Sequence, residues 1–221
     1  LPRAAGALAE KRGCFVTLTN RGRLRGCIGT FHPRVALAEQ VLAQAVATEA
    51  TDAAALVAST LPDGRTVAEL LIEGNAATGE KIEVRRVARV TGDKVVAYLH
   101  RTNKDLPPQI GVLVATSGAD DTTAHDVAMH IAAFSPTALA REDVPEDVVA
   151  NERRIAEATA REEGKPEAAL PRIIEGRVNG YFKENVLLEQ AFAKDQKKSV
   201  AQVLKEAGAQ ATSFARFRVG N

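Results

Sequence analysis

Four histidines (His32, His100, His125 and His130) and two cysteines (Cys14 and Cys27) are the side chains in this sequence best suited to metal binding, nucleophilic attack or proton transfer. Their spacing favours none of these. The histidines are scattered and the cysteines lack a zinc-ligand spacing, so no metal centre is expected. His125 and His130 fall on one predicted helix, but five residues separate them by about 500° of rotation, so they do not share a face. His130, between Met129 and Ile131, reads either as a packed or surface histidine or as a contact residue. Cys27 sits in Arg25-Gly26-Cys27-Ile28-Gly29-Thr30, a glycine-flanked strand that a second backbone could approach closely. A thiolate nucleophile needs an activating base, and no base is identifiable beside it. Arg21, Arg23 and Arg25 alternate and would form a basic stripe if the turn keeps their phase. Such a stripe suits a solvated, aggregation-resistant edge or an acidic partner. There is no Walker-type phosphate loop, no dinucleotide fingerprint and no Gly-x-Ser-x-Gly elbow. No catalytic group and no cofactor are therefore expected, and any nucleotide belongs to a partner.

The elements that would position these residues follow from patterning. At 221 residues and 45% hydrophobic content the chain can bury one large core or two small ones. With 29 basic and 28 acidic side chains the net charge is +1, which gives no global drive toward nucleic acid or an anionic membrane. No apolar run approaches the roughly 20 residues that span a bilayer, and the expected location is the cytoplasm. The sequence opens on Leu1 rather than Met, as expected of a trimmed or engineered chain.

Cys14, Val16 and Leu18 alternate with Phe15, Thr17 and Thr19 as in a half-buried strand. Asn20-Arg21-Gly22 reads as a tight turn, and Leu24 to Phe31 as the return strand before the His32-Pro33 break. In this register Cys14 and Cys27 are offset, and no disulfide is expected between them. Leu37, Val41, Leu42, Ala45 and Val46 predict a helix through Thr48, and a shorter helix is expected over Thr66 to Ala77. A one-sided strand is expected from Ile82 to Val90, then strands at Val95 to His100 and, continuously apolar, at Ile110 to Ala115. An amphipathic helix follows from Thr122 to Phe134. Pro145, Gly164 and Pro166 punctuate two helices that end near Asn185 and form a hairpin poor in large apolar groups, expected to project into solvent. A helix over Ser199 to Ala207 and an alternating strand from Ser213 to Val219, joining the second sheet, complete the chain. The expected fold is α+β: two small antiparallel sheets, each packed with helices, plus a protruding antiparallel helical hairpin at about residues 145–185. The expected division is an N-terminal subdomain over 1–60 and a second over 61–221, with the seam near Thr60 to Gly79.

Most of the sequence from Leu37 to Gly220 resembles elongation factor Ts of a high-GC bacterium. The matching segments are LAEQVLAQAVA (Leu37 to Ala47), DGRTVAEL (Asp63 to Leu70), GEKIEVRRVARV (Gly79 to Val90), IGVLVA (Ile110 to Ala115) and DVAMHIAAFSP (Asp126 to Pro136). They continue with EGKPEAALPRIIEGRVNGYFKE (Glu163 to Glu184), LLEQAFAKD (Leu187 to Asp195) and FARFRVG (Phe214 to Gly220). Gly13 to Glu39 instead resembles the AMMECR-type domain through LRGCIGT at Leu24 to Thr30. The two signatures meet around Pro33 to Leu37, the pattern expected of a recombined or designed chimera.

The resemblance implies a guanine-nucleotide exchange factor that is not an enzyme and whose partner is the GTPase elongation factor Tu, without direct contact to nucleic acid or membrane. It implies partner contacts at Ile110, Gly111, Met129 and His130. The family's Thr-Asp-Phe-Val stretch, to which part of the exchange effect is attributed, has no counterpart in this sequence, nor has its small amino-terminal helical domain. Exchange is therefore expected to be weakened, the alternative being a folded engineered chimera without retained activity. The AMMECR-like resemblance implies no identified activity, and the sequence leaves open whether the chain forms a homodimer.

Overall fold

A computed structural model describes residues 13–14, 16–20, 23–28, 36–78, 81–104 and 108–218, of which 13–40, 77 and 78 are described by backbone alone. The expected turn at Arg21 and Gly22, the strand end at Phe31, the His32-Pro33 break, the stop at Gly79 and the strand end at Val219 lie outside the described residues. Chain contacts divide the protein into two compact units, one made of residues 1–132 with 211–221 and the other of residues 133–210.

The first unit begins with β1 (Gly13–Cys14), β2 (Val16–Asn20) and β3 (Arg23–Ile28). β2 and β3 form an antiparallel hairpin in which Leu18 faces Gly26 while Thr19 faces Leu24. Arg25 is thus the extra residue of a β-bulge, which breaks the alternation that a continuous stripe through Arg23 and Arg25 requires. Cys27 pairs with Thr17, and Cys14 with Arg89 in another sheet, so the cysteines are not opposite one another.

Three helices follow: α1 (Ala36–Ala47), α2 (Ala53–Ala58) and α3 (Val67–Thr78). The short α2 starts because Asp52 caps it, its carboxylate accepting from the Ala55 amide at 2.8 Å. The start of α3 is a reciprocal cap, with the Thr66 amide donating to Glu69 at 2.7 Å and the Glu69 amide to the Thr66 hydroxyl at 3.2 Å. Val41, Leu42, Ala45, Leu56, Leu61, Val67, Leu70 and Leu71 form the core between them. Gln44 is buried within this layer, and its amide donates to the Thr60 carbonyl at 2.8 Å, which fixes α1 against the start of α3.

The strand expected over Ile82 to Val90 is present only as β4 (Arg89–Val90). Ile82, Val84 and Val87 instead pack on the three-helix core. The alternating apolar pattern is therefore satisfied by an extended segment lying on helices, without a ladder partner.

β5 (Lys94–His100) and β6 (Ile110–Ser117) pair antiparallel from Lys94↔Thr116 to His100↔Ile110. β6 is the central strand of a three-stranded sheet completed by the C-terminal strand β9. That position explains its continuous apolar run, since both of its faces are covered. On one face Val95, Ala97, Leu99, Leu113 and Ala115 meet Val90, Phe217 and Ala215. Arg86 lies 4.7 Å from the Phe217 ring centroid. Helix α4 (Asp121–Phe134) lies on the other face. Lys94 donates to the Ala119 carbonyl and Asp121 at its start, and the Arg216 guanidinium donates to the Ala132 carbonyl near its end at 3.1 Å. Burial of the Arg216 guanidinium pulls it below the usual arginine range.

In the second unit α5 (Glu146–Glu162) and α6 (Leu170–Asn185) run antiparallel, as the ion pairs Arg153–Glu175 and Arg161–Glu167 require. Gly164 takes φ +69° where the chain leaves α5, a conformation open to glycine at little cost. Val178, Phe182, Val186, Ala138 and Val144 form the core. Arg141 stacks on Phe182, its centre 4.5 Å from the ring centroid, and pairs with Glu189. A hairpin of β7 (Ala191–Phe192) and β8 (Asp195–Ser199) leads into α7 (Val200–Glu206), capped by the Ser199 hydroxyl, and then into β9 (Gln210–Arg218). The α+β class, with small antiparallel sheets packed on helices, is the one expected.

Candidate partner-docking site

The site residues expected from the sequence lie on two elements of the first unit. Ile110 and Gly111 open β6, where they pair with His100 and Leu99 of β5. Because directly opposed residues share a face, Ile110, His100, Tyr98 and Val112 are on the α4 side of the sheet, and Gly111 is on the other. Both Ile110 and Gly111 are buried. Met129 and His130 lie in the third turn of α4, with Met129 half-buried and His130 at 0% exposure. His130 thus belongs to the packed set Ala124, Val127, Ala128, Ile131 and Ala132. The signal for this was its helical phase, three residues after Val127 on the stripe that faces the sheet.

Of the remaining histidines, His32 lies outside the described residues, and His100 and His125 both approach Tyr98, which the sequence did not suggest. His125 is half exposed, so it and His130 occupy different faces of α4, as their spacing requires. His125 meets Tyr98 edge-on, with ring centroids 5.3 Å apart at 86°. The Tyr98 hydroxyl is 3.1 Å from Nδ1 of His100. Two histidines that are distant in sequence thus converge on one tyrosine beside Ile110. Sequence reasoning missed this cluster because it depends on the β5–β6 register and on how α4 crosses the sheet. The Tyr98-x-His100 alternation on a one-sided strand was the only available signal.

At this end of the sheet the β5–β6 loop is tied down by Gln109. Its amide nitrogen on the backbone donates to the His100 carbonyl at 3.1 Å, and its side-chain oxygen accepts from the Thr102 hydroxyl at 2.6 Å. Residues 101–104 are exposed. Among the described residues no three histidine, cysteine or acidic side chains are grouped to hold a metal ion, and no helix is long and apolar enough to cross a membrane. What this end of the sheet offers among the described residues is the exposed polar segment 101–104 beside the half-buried His100, with Met129 half-buried on α4.

The family model of elongation factor Ts matches residues 33–221, taking in all of α1 to β9 and every one of the expected site residues. The chain belongs to the elongation factor Ts family. It is 61% identical over 191 residues to elongation factor Ts of Renibacterium salmoninarum, an alignment covering 85% of this chain and 68% of that protein. Against elongation factor Ts of Kineococcus radiotolerans the identity is 64% over 186 residues, covering 84% of this chain and 67% of the relative. Elongation factor Ts of Kocuria rhizophila is 60% identical over 189 residues, with coverages of 85% and 68%. The AMMECR1 family model matches residues 2–63, overlapping the elongation factor Ts match over 33–63. Two family signatures therefore meet in this chain, as its sequence motifs indicate, and the β2–β3 hairpin lies in the AMMECR1 match alone.

Proposed function

We propose that this chain binds elongation factor Tu and promotes release of its GDP. The match of residues 33–221 to elongation factor Ts carries this reading, because it includes the β5–β6 sheet and α4 that support the docking site. An exchange factor makes and breaks no covalent bond. It binds the nucleotide-free form of its partner more tightly than the loaded form, and thermodynamic reciprocity then weakens the partner's hold on nucleotide by the same factor. A surface without a cluster of catalytic groups suits that task.

Ile110 and Gly111 at the head of β6 and Met129 and His130 on α4 form the proposed contact. Met129 is the more accessible of the helix pair, and His130 is enclosed. A factor of this family acts with the translation machinery, and the cytoplasm is the location that suits this role. Residues 13–39 do not carry the Thr-Asp-Phe-Val stretch of the family, and exchange is accordingly weaker than that of the relatives.

The test is release of a fluorescent GDP analogue from elongation factor Tu on addition of the chain. Stimulated release that saturates with chain concentration supports the reading. Release at the spontaneous rate, with no complex in gel filtration against nucleotide-free partner, refutes it.

A further inference from the structure

His100 stands directly across the ladder from Ile110, at the point where β5 gives way to the exposed 101–104 segment. It is half-buried, and its Nδ1 lies 3.1 Å from the Tyr98 hydroxyl. With the Tyr98 hydroxyl as donor to a neutral imidazole, Nδ1 accepts and the ring proton is carried on Nε2. The Tyr98 ring is in turn held from the helix side by the edge contact with His125 at 5.3 Å. Among the described residues Nε2 has no hydrogen-bond partner. Nε2 is not among the buried, unpaired atoms, so a partner oxygen would replace water at a donor whose ring is already fixed in place. The strand end is pinned by Gln109, so the ring is held where it is before any partner arrives.

We propose that His100 is a specificity-determining contact of the docking site, using Nε2–H to donate to an acceptor oxygen of the GTPase, with Tyr98 as the positioning residue that fixes its tautomer. This inference rests on the exchange reading and extends its contact set from Ile110 to the neighbouring strand. The acceptor is a backbone carbonyl or a carboxylate, the two oxygen types that take a neutral N–H donor in the same geometry. The groups recorded beside His100 are Tyr98 on its own strand and Ile110 across the ladder, with His125 of α4 against Tyr98. None of these supplies Nε2 with an acceptor.

The experiment is nucleotide release from elongation factor Tu titrated with the unmodified chain and with His100→Ala, His100→Gln, His100→Asn and Tyr98→Phe, alongside the melting temperature of each. A glutamine amide can reproduce the Nε2 donor, whereas an asparagine amide reproduces only the Nδ1 position. The expected result is a half-saturating concentration raised about five- to tenfold for the alanine and asparagine variants, the loss of one interfacial hydrogen bond. The glutamine variant should recover most of that loss, and Tyr98→Phe should show a smaller increase, all without a matching trend in melting temperature. If the unmodified chain stimulates release and His100→Ala does so at the same concentrations, the inference is overturned while the exchange reading stands. It is also overturned if the loss follows melting temperature instead of the Gln/Asn distinction. If His100→Ala does not fold, Tyr98→Phe with unchanged half-saturation overturns it. No stimulation by the unmodified chain refutes the exchange reading itself, and the inference falls with it.

Discussion

Replacing Thr116 by valine removes a polar atom from the centre of the first unit and changes almost nothing else. Thr116 sits near the end of β6, opposite Lys94, at 0% exposure, and its hydroxyl has no hydrogen-bond partner. As part of the central strand of a three-stranded sheet it cannot swing out to water without breaking the ladder. An unmatched buried hydroxyl costs about 1–3 kcal/mol, and valine fills nearly the same volume with equal strand preference. Thr116→Val is therefore expected to stabilise the protein by about 1–2 kcal/mol, a rise in melting temperature of about 2–8 °C for a chain of this size. Thr116→Ala also removes the hydroxyl but takes away the methyl group, whose loss offsets about 1 kcal/mol of the gain. The order Val above Ala, measured as urea midpoints with unchanged denaturant slope, is the distinguishing result. A valine variant less stable than the unmodified chain would refute the reasoning, since it would mean that the hydroxyl has a hydrogen-bond partner in solution.

Gly176 and Gly180 lie inside α6, and a Cβ at either position would meet nothing within 4 Å. Each glycine-to-alanine change should stabilise by about 0.5–1 kcal/mol in thermal unfolding, and no gain would mean that the helix end is already frayed. Gly92→Ala should act in the opposite direction, because its Cβ would come 2.9 Å from the Cβ of Ala115 in the central strand. A loss of about 1–3 kcal/mol is expected, and a neutral result would show that the bend at Gly92 yields easily. In acid, the carboxyls of Glu69 and Asp120 are held below their usual range chiefly by backbone amides, and that of Glu163 by Arg177. Because the unfolded chain takes up these protons first, their stabilisation is complete above the ordinary carboxylate range and is lost as pH falls below about 4 through the folded-state values. Urea midpoints should decline across that window. Added salt should weaken the Glu163 contribution while leaving those of the backbone-bonded Glu69 and Asp120 largely intact.

The parts of this fold that were legible in the sequence are those where one physical constraint dominates a long segment. The unbroken apolar run at Ile110 to Ala115 could only be a strand covered on both sides, and Pro145, Gly164 and Pro166 delimit α5 and α6 with little ambiguity. Alternation at Ile82 to Val87 was misleading because an extended chain packed on helices needs the same pattern as a strand. The six-residue α2 is too short to show a period and depends on the Asp52 cap, while the β7–β8 hairpin turns without the glycine or asparagine that would mark it. At the docking site the burial of His130 was present in its phase relative to Val127 and Ile131. The Tyr98, His100 and His125 cluster was not legible, since Tyr98 and His125, 27 positions apart, meet only through helix placement on the sheet.

The sheet built on β6 takes its outer strand from Gln210–Arg218, on the far side of the entire 133–210 unit. During synthesis the ribosome must therefore extrude α5, α6 and the β7–β8 hairpin before the last strand of the earlier unit exists. The inserted unit can close first, while the unit that carries the proposed docking site waits with one sheet edge unpaired. Completion of this sheet thus comes only after the inserted unit has been made, and a nascent chain halted in that unit would display an open edge.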